Sequence, residues 1–183
     1  MENLGVRFEV VTAETDETCN ETDPRALVEA LSLRKGRAVW QMLEQEGREL
    51  SETVVIASDT VVAADGKILG KPRDKADAER MLRMLSGRAH EVVSGVAVIG
   101  KETAGSAHEV TQVIFDTLDD ESLAAYLATD EPYDKAGAYA IQGLASAFVK
   151  GIHGCYFNVV GLPVHRLCLL FEETFDKKFL EFS

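Results

Sequence analysis

The chain has 183 residues, 46% of them hydrophobic, with 31 acidic against 19 basic side chains and a formal charge of −12. That length suits one α/β domain, or two lobes sharing a sheet. The charge excludes a whole-domain basic footprint for a nucleic-acid polymer. A small phosphorylated substrate is allowed, because a few local cations and a metal ion can outweigh the distant field. The apolar runs fall well short of the ~20 residues that span a bilayer. Met1 to Gly5 has no basic flank leading into an apolar core, so no signal peptide is expected. Cys19, Cys155 and Cys168 are scattered and form no Cys-x-x-Cys pair, which predicts reduced thiols and a cytoplasmic setting.

In chain order, Val6 to Val11 reads as a short strand, and the acidic stretch Thr12 to Asp23 as a loop. Asp23-Pro24 opens a helix, an N-cap acceptor followed by proline at the first helical position. Leu27, Leu31, Ala38, Val39 and Met42 then share one stripe. Lys35 lies in the middle of that stripe, so it either snorkels to an edge or meets an anion. Thr53 to Ala57 reads as a buried strand ending at Ser58-Asp59-Thr60. Asp65-Gly66 between apolar segments marks a hairpin. Asp74 caps a helix with Ala78, Met81, Leu82 and Leu85 on one face, closed by Gly87. Val92–Ile99 and Val110–Phe115 read as strands around a polar loop, Thr117 starts a helix, and Ala147–Lys150 is another short strand. Pro163 starts a final helix. This order predicts a mixed sheet with helices packed on it, not a regular parallel βαβ array.

Several residues could carry chemistry. Asp59 is a carboxylate where an apolar strand is expected to leave the core, a place that holds ligands in many α/β folds or simply makes a turn. Lys35, Lys71 in Gly70-Lys71-Pro72, and Lys135 beside Ala136-Gly137 are cations at structured places in a chain poor in bases. Phosphate binding needs such charges on a rigid backbone. In Lys135 to Gly143, small residues allow close backbone approach, and Gln142 has both donor and acceptor for a base edge. The four histidines do not cluster at metal-ligand spacing, and no Walker or Gly-x-Gly-x-x-Gly pattern occurs.

The segments Ser58-Asp59-Thr60-Val61-Val62, Gly70-Lys71-Pro72 and Met84-Leu85-Ser86-Gly87 with His90 together resemble the central signature of the Maf family. Asp134 to Gly143 resembles its second signature, and Asn158-Val159-Val160-Gly161-Leu162-Pro163 its third. Asp16-Glu17 and Lys35 fall where the family has an acidic pair and a helix lysine.

The resemblance implies a single Maf-like domain over residues 1–183, with the fold of the inosine triphosphate pyrophosphatases: a mixed twisted sheet, flanking helices and two lobes around a cleft. It implies hydrolysis of a nucleoside triphosphate to the monophosphate and pyrophosphate, with a divalent cation, Mg²⁺ or Mn²⁺. Asp59 would be the proton acceptor or a metal ligand, with Glu17 a second ligand. Lys35 and Lys71 would meet phosphates, and Thr60 and Gln142 would bear on base choice; Lys135, within the second signature, is a further candidate for substrate binding. The Tyr-x-Ile-Gln-Gly form is similar to members acting on dTTP and UTP, whereas members preferring 7-methyl-GTP carry an acid in place of the Gln. A nucleotide-binding or septum-linked regulatory protein of low turnover is the other reading, and a homodimer is a further expectation. The family's first strand and Ser-x-Ser-Pro-Arg-Arg loop have no counterpart here, so the resemblance is to an N-terminally truncated member whose grip on the triphosphate is weakened.

Overall fold

A computed structural model describes residues 5–16 and 18–181. Five strands form one sheet: β1 (Val55–Ala64), β2 (Lys67–Leu69), β3 (Ala89–Ile99), β4 (Ala104–Phe115) and β5 (Val149–His153), in the order β2-β1-β3-β4-β5. The helices are α1 (Pro24–Gln45), α2 (Lys75–Leu85), α3 (Asp120–Tyr126), α4 (Tyr156–Val160) and α5 (Val164–Phe175). The expected α/β architecture, a sheet with helices packed on it and no regular βαβ array, is what forms. Pairings β1–β2 and β4–β5 are antiparallel. β1 turns into β2 through Asp65-Gly66, both at positive φ, as that dipeptide predicts.

The chain divides into two compact units: residues 1–59, 95–108 and 162–183, and residues 60–94 and 109–161. β1, β3 and β4 each contribute residues to both. In the first unit, successive β3 side chains serve two cores. Val96 and Val98 pack with Leu167, Leu170 and Phe171 of α5, while Ala97 and Ile99 pack with Trp40 and Leu43 of α1. Strand alternation therefore puts α5 and α1 on opposite faces there. In the second unit, Val62, Val92, Val113 and Phe115 pack against Met81, Leu82 and Leu85 of α2 and Leu123 and Tyr126 of α3. The helix predicted after Asp74 forms as expected. The Asp74 side chain accepts from the Asp77 N–H at 2.8 Å, and Ala78, Met81, Leu82 and Leu85 are buried.

Three sequence expectations change. Residues 6–11, read as a strand, adopt no strand in the described structure. Extended chain needs a hydrogen-bonding neighbour to become a strand. This segment instead lies on the surface with Phe8 and Val10 exposed, anchored by the Glu9–Arg48 pair at 2.6 Å. The buried face of α1 is Val28, Leu31, Ser32, Gly36, Trp40 and Leu43, which keeps only Leu31 of the predicted stripe, because small Ser32 and Gly36 carry contact that a hydrophobic count overlooks. The short helix α4 was not anticipated at all.

Candidate active site

The expected strand end at Ser58-Asp59-Thr60 is not an end. β1 continues through it to Ala64. Polar side chains persist inside a strand when each finds a partner, and all three do. The Ser58 hydroxyl donates to the Gly95 carbonyl at 2.7 Å. Asp59 Oδ1 accepts from Lys35 Nζ at 2.5 Å. Thr60 Oγ1 lies 2.8 Å from Ser94 Oγ. Asp59 thus sits within a ten-residue strand, on a more rigid support than a turn.

Lys35 reaches Asp59 because α1 lies very close to the sheet. A Cβ at Gly95 of β3 would fall 2.1 Å from the Val28 carbonyl oxygen, and one at Gly36 would fall 2.2 Å from Ile99 Cδ1. Lys35, next to Gly36, flanks the buried face rather than lying in its middle. Side-chain exposure is 29% for Lys35 and 13% for Asp59, so the pair is largely withdrawn from water. Of the two outcomes open to Lys35 from sequence, the structure has it meeting an anion, and that anion is Asp59. Removing either partner would leave a poorly solvated charge.

The Asp59 and Thr60 side chains point to opposite faces of β1, as strand alternation requires. The Thr60 hydroxyl belongs to a polar chain. Ser94 Oγ donates to the Asn158 carbonyl at 2.9 Å. That uses the only proton of Ser94, so Thr60 must be the donor in the Thr60–Ser94 bond. Asn158, fully buried, donates to the Val92 carbonyl and to Thr111 Oγ1, both at 3.0 Å.

In the second unit, the Gly137 N–H donates to the Gly70 carbonyl at 3.0 Å, joining the Gly70-Lys71-Pro72 turn to the Lys135–Gly143 stretch. Gly137 has φ 68, and a Cβ there would lie 2.9 Å from the Val62 side chain, so both conformation and space call for glycine. Lys135 Nζ binds the neighbouring Asp134 at 2.6 Å. The Asp134 carboxyl is held below its usual range, first by that hydrogen bond, with the charge of Lys71 adding to it. Lys71 and Gln142 are exposed.

The chain matches the family described as Maf-like protein over residues 1–174. It belongs to the Maf family. It is similar to the dTTP/UTP pyrophosphatase of Pelotomaculum thermopropionicum, 47% identical over 170 residues, 91% of this chain and 85% of that protein. It is likewise similar to proteins of the same name from Symbiobacterium thermophilum, 47% identical over 167 residues (91% and 82%), and Bacillus cytotoxicus, 45% identical over 168 residues (91% and 84%).

Within this Maf chain the site residues named from sequence stand as follows. Lys35 and Asp59 are brought together, Lys135 is bound to Asp134, Thr60 is bound to Ser94, and Lys71 and Gln142 are presented to solvent. Glu17, the expected second metal ligand, lies outside the described residues. Sequence reasoning assigned no role to Ser94, Asn158 or Glu131. The available signal for Ser94 was a hydroxyl inside the apolar run of β3. For Glu131 there was none, because two of its three donors are backbone N–H groups 13 and 14 residues away. His90 of the Maf signature is buried at 3% exposure, with Nε2 2.8 Å from the Tyr139 hydroxyl and its ring edge-on to Phe115. Burial pushes its pKa down to about 4, so it is neutral at ordinary pH, and the same burial pushes the Tyr139 phenol up. Among the described residues, no three His, Cys, Asp or Glu side chains form a metal-holding group, and no helix is long and apolar enough to cross a membrane.

Proposed function

We infer that this protein hydrolyses nucleoside triphosphates at the α–β phosphoanhydride, releasing pyrophosphate and the monophosphate, with dTTP and UTP as preferred substrates. The observation that carries the reading is the Lys35–Asp59 pair on α1 and β1. It supplies a carboxylate to orient or deprotonate water beside a cation for the phosphates. The names of the relatives support the same chemistry and the same bases.

In this reading Asp59 acts on the attacking water. An ammonium has three N–H donors, so Lys35 can hold Asp59 and a phosphate oxygen together. Lys71 and Lys135 offset the charge of the departing pyrophosphate. Gln142 reads the base, its amide donating to a carbonyl and accepting from the imide N–H of thymine or uracil. The Thr60 hydroxyl, its proton given to Ser94, retains only acceptor capacity.

A divalent cation, Mg²⁺ or Mn²⁺, belongs to this proposal. The donor set fits an ion carried in by the substrate: Asp59 is a single largely withdrawn carboxylate, and Mg²⁺ commonly takes one or two carboxylates with phosphate oxygens and water. When bound, the ion would neutralise charge on the triphosphate. The cytoplasm is the proposed location, which the three free thiols support.

The test is pyrophosphate release with Mg²⁺ across dTTP, UTP, CTP, GTP, ATP and 7-methyl-GTP. The expected result ranks dTTP and UTP first. A panel led by 7-methyl-GTP overturns the base assignment. Tight nucleotide binding without release from any triphosphate overturns the hydrolytic one.

A further inference from the structure

We propose that Glu131 is a positioning residue for Gln142, and through it for the choice of base. Glu131 follows α3, and its carboxylate collects three donors. Leu144 N–H lies at 2.7 Å, Ala145 N–H at 3.1 Å and the Tyr126 hydroxyl at 3.0 Å. Burial alone would raise the Glu131 pKa, but the Leu144 and Ala145 N–H groups and the Tyr126 hydroxyl outweigh it and hold the group below its usual value. The carboxylate is therefore charged at neutral pH, as two converging backbone donors require.

Gly143 makes the approach feasible, since a Cβ there would lie 2.3 Å from Glu131 Oε2. On the other side of Gln142, the Gly143 N–H donates to the Ala140 carbonyl at 3.1 Å and closes a turn. The backbone of Gln142 is thus fixed by a turn before it and a carboxylate after it, while its side chain is exposed. Hydrophobic packing does little of this, because Leu144 is 60% exposed and, of residues 142–147, only Ala145 is buried. A polar side chain can discriminate between bases only if its backbone is already held, otherwise ordering it on binding consumes the gain. Glu131 provides that order from a place that need not touch the nucleotide.

This inference rests on Gln142 reading the base, so Gln142→Ala is measured in parallel. Glu131→Gln keeps size but turns an NH₂ group toward backbone N–H donors. Hydrogen bonds to charged groups are worth enough to predict a rise of about tenfold in KM for dTTP and UTP, with kcat changed by less than about threefold. The ratio of kcat/KM for UTP over GTP should narrow, as it should in Gln142→Ala. The double variant should lose little beyond either single change. Gly143→Ala attacks the same contact from the loop side and should shift KM in the same direction, which keeps the test open if Glu131→Gln folds poorly. An unchanged base ratio in both Glu131→Gln and Gly143→Ala, or an equal loss for every base, overturns the role of Glu131. If Gln142→Ala itself leaves base choice intact, the base reading fails and this inference with it.

Discussion

Asp59 and Gln142 are held in contrasting ways. Asp59 sits in a ten-residue strand, and its partner Lys35 sits on a 22-residue helix. Their spacing is set by close helix–strand packing, with Gly95 against the Val28–Glu29 backbone and Gly36 against the Ile99 side chain. Gln142 sits in an irregular loop fixed by hydrogen bonds to one carboxylate. Regular elements locate a group by many packing contacts, so one lost side chain shifts it little. A polar loop depends on a few bonds, and one lost acceptor frees it. The acid–base pair should therefore respond to substitution mainly in rate, and the loop mainly in affinity and selectivity.

The largest expected effect is on the Asp59 side of this contrast. Asp59→Asn should lower kcat by roughly 10²–10³, the scale seen when a group acting on developing charge is removed, and it should also lower the melting temperature, because Lys35 loses its counter-charge. A variant keeping more than about a tenth of the wild-type rate, a barrier change under ~1.4 kcal/mol, would sink the assignment.

The second effect concerns His90, which bonds Tyr139 beside the loop's origin. Burial lowers its folded pKa to about 4, from an ordinary histidine value of 6.5. Between these values the unfolded chain binds the extra proton, so stability rises with pH. The His90 contribution is complete above about pH 6.5 and is lost as the pH falls toward about 4, amounting to roughly 3 kcal/mol. Urea titrations at pH 7 and pH 4.5 should show this loss in the wild type and a smaller one in His90→Gln. Identical slopes in the two proteins would remove His90 from the account.

The smallest effect tests the backbone contact itself. In Gly95→Ala the new Cβ meets the Val28 carbonyl at 2.1 Å, and backbone cannot turn aside. The expected cost is about 1–3 kcal/mol, or a few degrees to about ten in melting temperature at ~2–4 °C per kcal/mol. Gly36→Ala meets only the flexible end of Ile99 and should cost less. Equal losses in the two variants would show that the helix is not seated on β3 as the glycines suggest.

By itself the sequence determined what depends on local chemistry and on short motifs. The Asp74 cap and the four apolar positions after it defined the interior face of α2, because capping and 3.6-residue spacing act within a few turns. The Asp65-Gly66 turn followed from backbone conformation alone. The ordered signatures sufficed for the family. Tertiary structure decided the rest. β1 passes unbroken through Ser58-Asp59-Thr60 only because distant residues satisfy each polar side chain. Residues 6–11 are apolar enough for a strand but do not form one, since a strand is a pairing and not a composition. The buried face of α1 turned on Ser32 and Gly36, and its seat on β3 on Gly95, small residues whose importance lies in what fits against them. The Glu131 carboxylate organises Leu144 and Ala145, 13 and 14 residues away, through N–H groups that every residue except proline carries. Partners of that kind leave no trace in side-chain identity, and only folding reveals them.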